Sequence, residues 1–420
     1  MASITPPLRL RASPDARRIV RTRGLRALID GFVAVVLPSY LLAKGFSAAQ
    51  VGAIISATLL GSAAVTLFVG MRGGAVPRRR LLQIMAIVMV LTGLGFATVS
   101  AFAALLIVAA IGTVNPSAGD VSGFLPIEQA LLPDTVAPTN RTAVFARYSL
   151  VASLAGAFGA LAAGGPGFVA RHSAITVHQA ERAGFVVYAA VGVVLLLQYR
   201  HLTVGGAQPA DHPPSRLGPS RAVVYRLAGV FSVDALGGGF VVQSILVLWL
   251  SLRFDLSTAV SGAVFFWSGL LSASSALLAP VLARRIGLIR TMVFTHLPAN
   301  ALLMAAALMP NAPLAVACLL ARSLLSQMDV PARTSYVMAI VRPEERAAAA
   351  SVTNVPRSLA AALPPLAAGW MLAHSTFGWP LLLAGGLKAI YDLSLLAMFH
   401  DIRPDEERAG QTSARTREPS

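Results

Sequence analysis

The chain has 420 residues and a formal net charge of +16, yet only 12% of its residues are charged and 56% are hydrophobic, where an ordinary soluble domain is about one-quarter charged. With a mean hydropathy of +0.70, such a chain has too little polar surface to cover a water-soluble globule. Its apolar residues fall in runs near the roughly 20 residues that carry a helix across a bilayer, without the alternation of a membrane β-barrel, so the expected fold class is an all-α polytopic membrane protein.

Residues 1–24 are expected to be a basic cytoplasmic tail: Arg9, Arg11, Arg17, Arg18, Arg21 and Arg23 precede the first run, and no small-residue cleavage site follows a short apolar core. Spans are predicted near 25–43, 51–71, 81–99, 102–132, 143–167 and 183–199, a first bundle over 25–199. A polar, proline-bearing stretch follows, read as a cytoplasmic linker over 200–222. Six more spans are predicted near 223–252, 257–282, 291–309, 314–341, 348–373 and 378–399, a second bundle over 223–400, and 401–420 reads as a charged cytoplasmic tail.

The basic residues are almost all arginine, Lys44 and Lys388 being the lysines, and they gather between alternate spans. Arg72, Arg78, Arg79, Arg80, Arg141, Arg284, Arg285, Arg290, Arg342 and Arg346 fall on one side with both termini. That asymmetry puts both ends in the cytoplasm and accounts for the charge without nucleic acid. The single cysteine, Cys318, lies inside an apolar run, so no disulfide framework, metal site or cofactor is expected.

A weak internal repeat supports a division into six and six spans. Leu161-Ala162-Ala163-Gly164 recurs as Leu366-Ala367-Ala368-Gly369, Arg141 corresponds to Arg346, Asp120-Val121 to Asp329-Val330, and Ser47 to Gly52 to Ser257 to Gly262.

On these features the chain resembles the major facilitator superfamily, from about Arg26 to Arg403. The family's basic loop between spans 2 and 3 is approached by Gly70 and Arg78-Arg79-Arg80, with Gly74 and Ala75 where an Asp and an Arg are usual. The matching loop between spans 8 and 9 retains Arg285, Gly287 and Arg290 and also lacks the Asp. The resemblance implies two pseudo-symmetric six-helix bundles, gating at these loops, a cavity lined by spans 1, 4, 7 and 10, and spans 3, 6, 9 and 12 facing lipid.

Charged groups in the hydrocarbon region are costly and face a cavity or a partner. Asp30, Asp120, Glu128, Asp234 and Asp329 fall on the spans implied to line the cavity, with Arg333 four residues after Asp329 as a candidate partner. Lys388 and Asp392 on span 12 have the spacing of a structural ion pair. No phosphate-binding loop of the GxxxxGK[ST] kind occurs, which leaves ion coupling as the energy source. Neither a metal-binding histidine pair nor a Ser-His-Asp arrangement is visible, so an enzyme is not expected. Phe124, Phe240, Tyr336 and several methionines suggest a largely apolar lining.

The expected function is secondary active transport of a small solute, as proton-coupled efflux of an amphipathic compound through a monomer in a bacterial inner membrane. A proton-coupled uptake symporter, or a non-transporting receptor or assembly factor on the same fold, is the alternative. Solute, protons and the lipid bilayer are the expected partners.

Overall fold

The computed structural model describes residues 13–72, 76–117, 122–137, 140–204, 217–342 and 345–399. These are helical, with no strand among them. Seventeen α-helices follow in order: α1 (Pro14–Ala43), α2 (Ala48–Arg72), α3 (Arg78–Thr98), α4 (Phe102–Ile111), α5 (Phe124–Leu131), α6 (Arg141–Ala162), α7 (Gly165–His172), α8 (Val177–Arg200), α9 (Arg221–Gly239), α10 (Gln243–Phe254), α11 (Thr258–Ile286), α12 (Leu288–Leu308), α13 (Ala312–Ser323), α14 (Asp329–Ile340), α15 (Arg346–Ala362), α16 (Pro364–His374) and α17 (Trp379–Phe399).

They trace the twelve predicted spans, but not as twelve single rods. Among the described residues nine helical stretches are long and apolar enough to cross a membrane; spans 4, 10 and 11 run instead as α4–α5, α13–α14 and α15–α16. Asn115-Pro116 interrupts span 4, where Asn115 Oδ1 accepts from the Ser117 amide at 3.1 Å and from its hydroxyl at 2.7 Å. The proline pair Pro364-Pro365 opens α16, at positions where a missing N–H costs no helical bond. In span 10 the break comes before Asp329, and Pro331 lies in the first turn of α14, where proline fits.

The lipid-facing surface is a helical stripe. On α3, Ile84, Ile87, Leu91 and Leu94 are all exposed, at the spacing of one helix face. Leu277 and Leu278 on α11 stand out as far, so span 8 also meets lipid.

Contacts between the first six spans and the last six concentrate at the side opposite the termini. There is no room for a Cβ on Gly52 of α2 against the Pro365 carbonyl, and the α-carbons of Gly52 and Gly369 face each other. On the other flank Gly262 of α11 abuts the Ala160 carbonyl, and Gly164 abuts Ala259. The two contacts are equivalent under the repeat: Ser47–Gly52 of the first half meets Leu366–Gly369 of the second, as Ser257–Gly262 of the second meets Leu161–Gly164 of the first. Ser56 Oγ accepts from the Leu366 amide at 2.8 Å. Ser244 Oγ donates to the Ala34 carbonyl at 2.7 Å and to the Pro116 carbonyl at 3.0 Å. A cavity of about 540 Å³ lies between the halves, reaching from this seam to Arg23.

The expected gating residues hold their own half. Arg78 Nη1 donates to the Ala130 carbonyl at 2.9 Å and lies 3.6 Å from Asp134; Arg79 Nη1 donates to the Leu202 carbonyl at 3.1 Å. Arg80, Arg285 and Arg290 are exposed. Gly287, at φ +87°, is the single residue between α11 and α12, a left-handed turn that favours glycine. Gly70 lies in the last turns of α2, and Gly74 and Ala75 lie outside the described residues.

Candidate functional site

The cavity's chemistry is concentrated on the second six spans. Asp234 projects from α9 one turn before Gly237 and Gly238, whose missing side chains let α17 approach; a Cβ on Gly237 would stand 3.0 Å from Lys388 Cγ. Lys388 Nζ consequently donates to Asp234 Oδ1 at 2.6 Å. From α14, Arg333 Nη1 donates to Asp234 Oδ2 at 3.1 Å and lies 3.5 Å from Asp329. From α12, His296 Nε2 comes within 3.9 Å of Asp234 while its Nδ1 is 2.9 Å from Asp392. Asn300 completes the group by donating to Asp392 at 2.9 Å.

The expected Lys388–Asp392 pair is thus not formed. Both residues share a face of α17, but that face packs on α9 and α12, which offer nearer partners: Lys388 goes to Asp234 and Asp392 to His296 and Asn300. Arg333, expected to neutralise Asp329, binds Asp234 more closely. Asp234, Asp329, Arg333, Lys388 and His296 all line the cavity.

Two other candidates lie away from it. Glu128 is fully buried in a knot of the first half, taking both guanidinium nitrogens of Arg26 at 3.0 and 2.8 Å and the hydroxyls of Tyr148 and Tyr199 at 2.6 Å each. It ties α1, α5, α6 and α8 together rather than meeting solute. Asp30 is buried, and its Oδ1 has no hydrogen-bond partner; Arg26, four residues before it on α1, is committed to Glu128. Asp120 lies outside the described residues.

The lining is mixed, with polar groups in the larger share. Phe124, Phe240 and Tyr336 are buried in the helix cores and do not border the cavity. Ser149, Ser153, Gln243, Ser272, Ser326 and Gln327 do. Sequence reasoning also missed His296 and Asn300, whose signal was two polar residues at helical spacing inside an apolar run. Arg322 and Arg357, each a cation within an apolar span, also border the cavity.

A polytopic helical protein with two six-span halves around a central polar cavity has the architecture of a membrane carrier. A model of the Major Facilitator Superfamily matches residues 23–326, and the chain belongs to that family. It is 26% identical to the uncharacterized membrane protein YJR124C of Saccharomyces cerevisiae, over 92% of this chain and 94% of that one. The nucleoside transporter NupG has the same fold, with a TM-score of 0.72 and 16% identity over 92% of this chain and 99% of that one. A D-xylose-proton symporter superposes with a TM-score of 0.68 and 14% identity, covering 91% and 97% of the two chains.

Proposed function

We propose that the protein is a proton-coupled secondary transporter that carries a small polar solute by alternating access, its termini and linker lying in the cytoplasm. The observation that carries this reading is the cavity of about 540 Å³ between the halves, a volume suited to a small molecule, with a buried charge network on its wall. The larger polar share of the lining favours a polar solute over an amphipathic one. Coupling is assigned to the Asp234–His296–Asp392 group. An imidazole between two carboxylates is placed to take a proton from the cavity and pass it between them, and the three residues lie on three different helices of the second half, with Asp234 and His296 bordering the cavity. The arginine asymmetry supports the cytoplasmic assignment.

Purified protein screened by thermal shift against a solute library identifies ligands that bind the native state. Those hits are then offered to proteoliposomes with a pH-sensitive dye inside. Solute entry accompanied by proton movement is expected, and His296→Gln should abolish gradient-driven accumulation while leaving solute exchange in place. Binding without flux would make the protein a receptor, and flux indifferent to the pH gradient would remove the coupling.

A further inference from the structure

The cavity wall is out of charge balance. Among the described residues of the second six spans four full cations border it, Arg322, Arg333, Arg357 and Lys388, against two carboxylates, Asp234 and Asp329. Lys388 and Arg333 are matched by those carboxylates. Arg322, from the last turn of α13, and Arg357, from the middle of α15, form no ion pair, and the Nε of each is buried without a hydrogen-bond partner. Both side chains are half-buried, so each guanidinium has lost part of its hydration with no carboxylate at ion-pair distance in return. In a membrane such a group marks a pathway or a ligand.

We propose that Arg322 and Arg357 are the anchors for an anionic group, a carboxylate or phosphate, carried by the transported solute. This deepens the transport reading and rests on it. Arginine's planar fork suits both groups, which it can grip through two parallel hydrogen bonds. Hydroxyls on the same cavity wall can serve the remaining oxygens: Ser326 borders the space, and so does Ser272, whose bond to the Ser323 carbonyl is long at 3.4 Å. The arginines come from α13 and α15, whereas the carboxylates that pair with Lys388 and Arg333 belong to α9 and α14. An anion bound at Arg322 and Arg357 therefore adds to the Asp234 network instead of displacing a member of it. The same chemistry could be met by an anionic lipid headgroup, and the experiment separates the two sources.

Thermal stability of the full chain, purified in detergent and freed of lipid, is measured with inorganic phosphate, succinate and benzoate. Sodium chloride of equal ionic strength and the neutral amides succinamide and benzamide are the controls. At least one anion should raise the melting temperature where its amide does not. Arg322→Gln and Arg357→Gln should each weaken that anion by about tenfold or more, the loss expected for a charge-assisted contact, while the unliganded variants melt no lower than the parent because an unpaired buried charge has gone. Arg322→Lys, which keeps the charge and loses the fork, should bind between the two. Amides acting as well as acids, or glutamine variants that keep the parent's shift, would overturn the proposal. Stabilisation by phosphatidylglycerol alone, with none from any soluble anion, would also overturn it. Flux of neutral solutes through an intact carrier would sink the anion site and leave transport standing; anion binding without flux would do the reverse.

Discussion

Glu128, Asp234 and Asp392 are each stabilised by side chains that cross from another helix. Glu128 accepts from three side chains on α1, α6 and α8. Glu128→Gln removes the charge that Arg26 needs, so the variant should lose about 3–5 kcal/mol, read as a lower melting temperature and folded yield. Arg26→Met with Glu128→Leu should recover most of that loss, because an apolar pair of similar volume avoids desolvating either ion. The carboxylates were legible in the sequence as charges inside apolar runs. Their partners were not: Lys388 and Asp234 are 154 positions apart, and helical spacing pointed instead to Asp392, four residues from Lys388. Spacing along one helix finds candidate pairs, and the neighbouring helix decides among them.

At the scale of elements, glycines set where helices touch. Gly52 and Gly262 sit one turn inside the starts of α2 and α11, after the turns capped by Ser47 and Ser257, whose hydroxyls accept from the Gln50 and Val260 amides at 3.3 Å each. A side chain at either glycine would push apart the seam that closes the side opposite the termini. Gly52→Val and Gly262→Val are expected to shift the population toward the state open on that side, seen as faster labelling of cysteines introduced there and slower labelling of cysteines near Arg23. Unchanged labelling would mean that the seam does not govern the equilibrium. The sequence repeat was visible from the recurring short motifs, and Asn115-Pro116 marks the interruption of span 4. That the repeated motifs face each other was not visible, since that contact depends on how the two halves are docked.

For the whole molecule, composition and hydrophobic run length were enough to read the membrane class and the path of the chain. The cavity's polarity was misread because it depends on which way each helix turns its face. Phe124, Phe240 and Tyr336 looked available and turned inward to the helix cores, while Arg322 and Arg357 turned to the cavity. The even number of spans puts the start of α1, both flanks of the linker and the end of α17 on one side. Reporter fusions at the linker and after Ser420 should give the same cytoplasmic signal; a signal from the opposite side at the linker would break the six-and-six arrangement.

The seam built from Gly52, Gly369, Gly262 and Ala160 has one more consequence, for timing. It is largely backbone against small side chains, held by dispersion that fades within an ångström or so of separation, and the Ser56 and Ser244 hydrogen bonds have similarly short reach. A seam parted by a small distance keeps almost nothing of what held it, and no long side chain among these contacts spans the gap to make a half-open stage comfortable. Single molecules carrying a dye on each flank should therefore show two distance levels with abrupt jumps between them. Dwell times at the closed level should shorten in Gly52→Val, while the two levels themselves stay where they are.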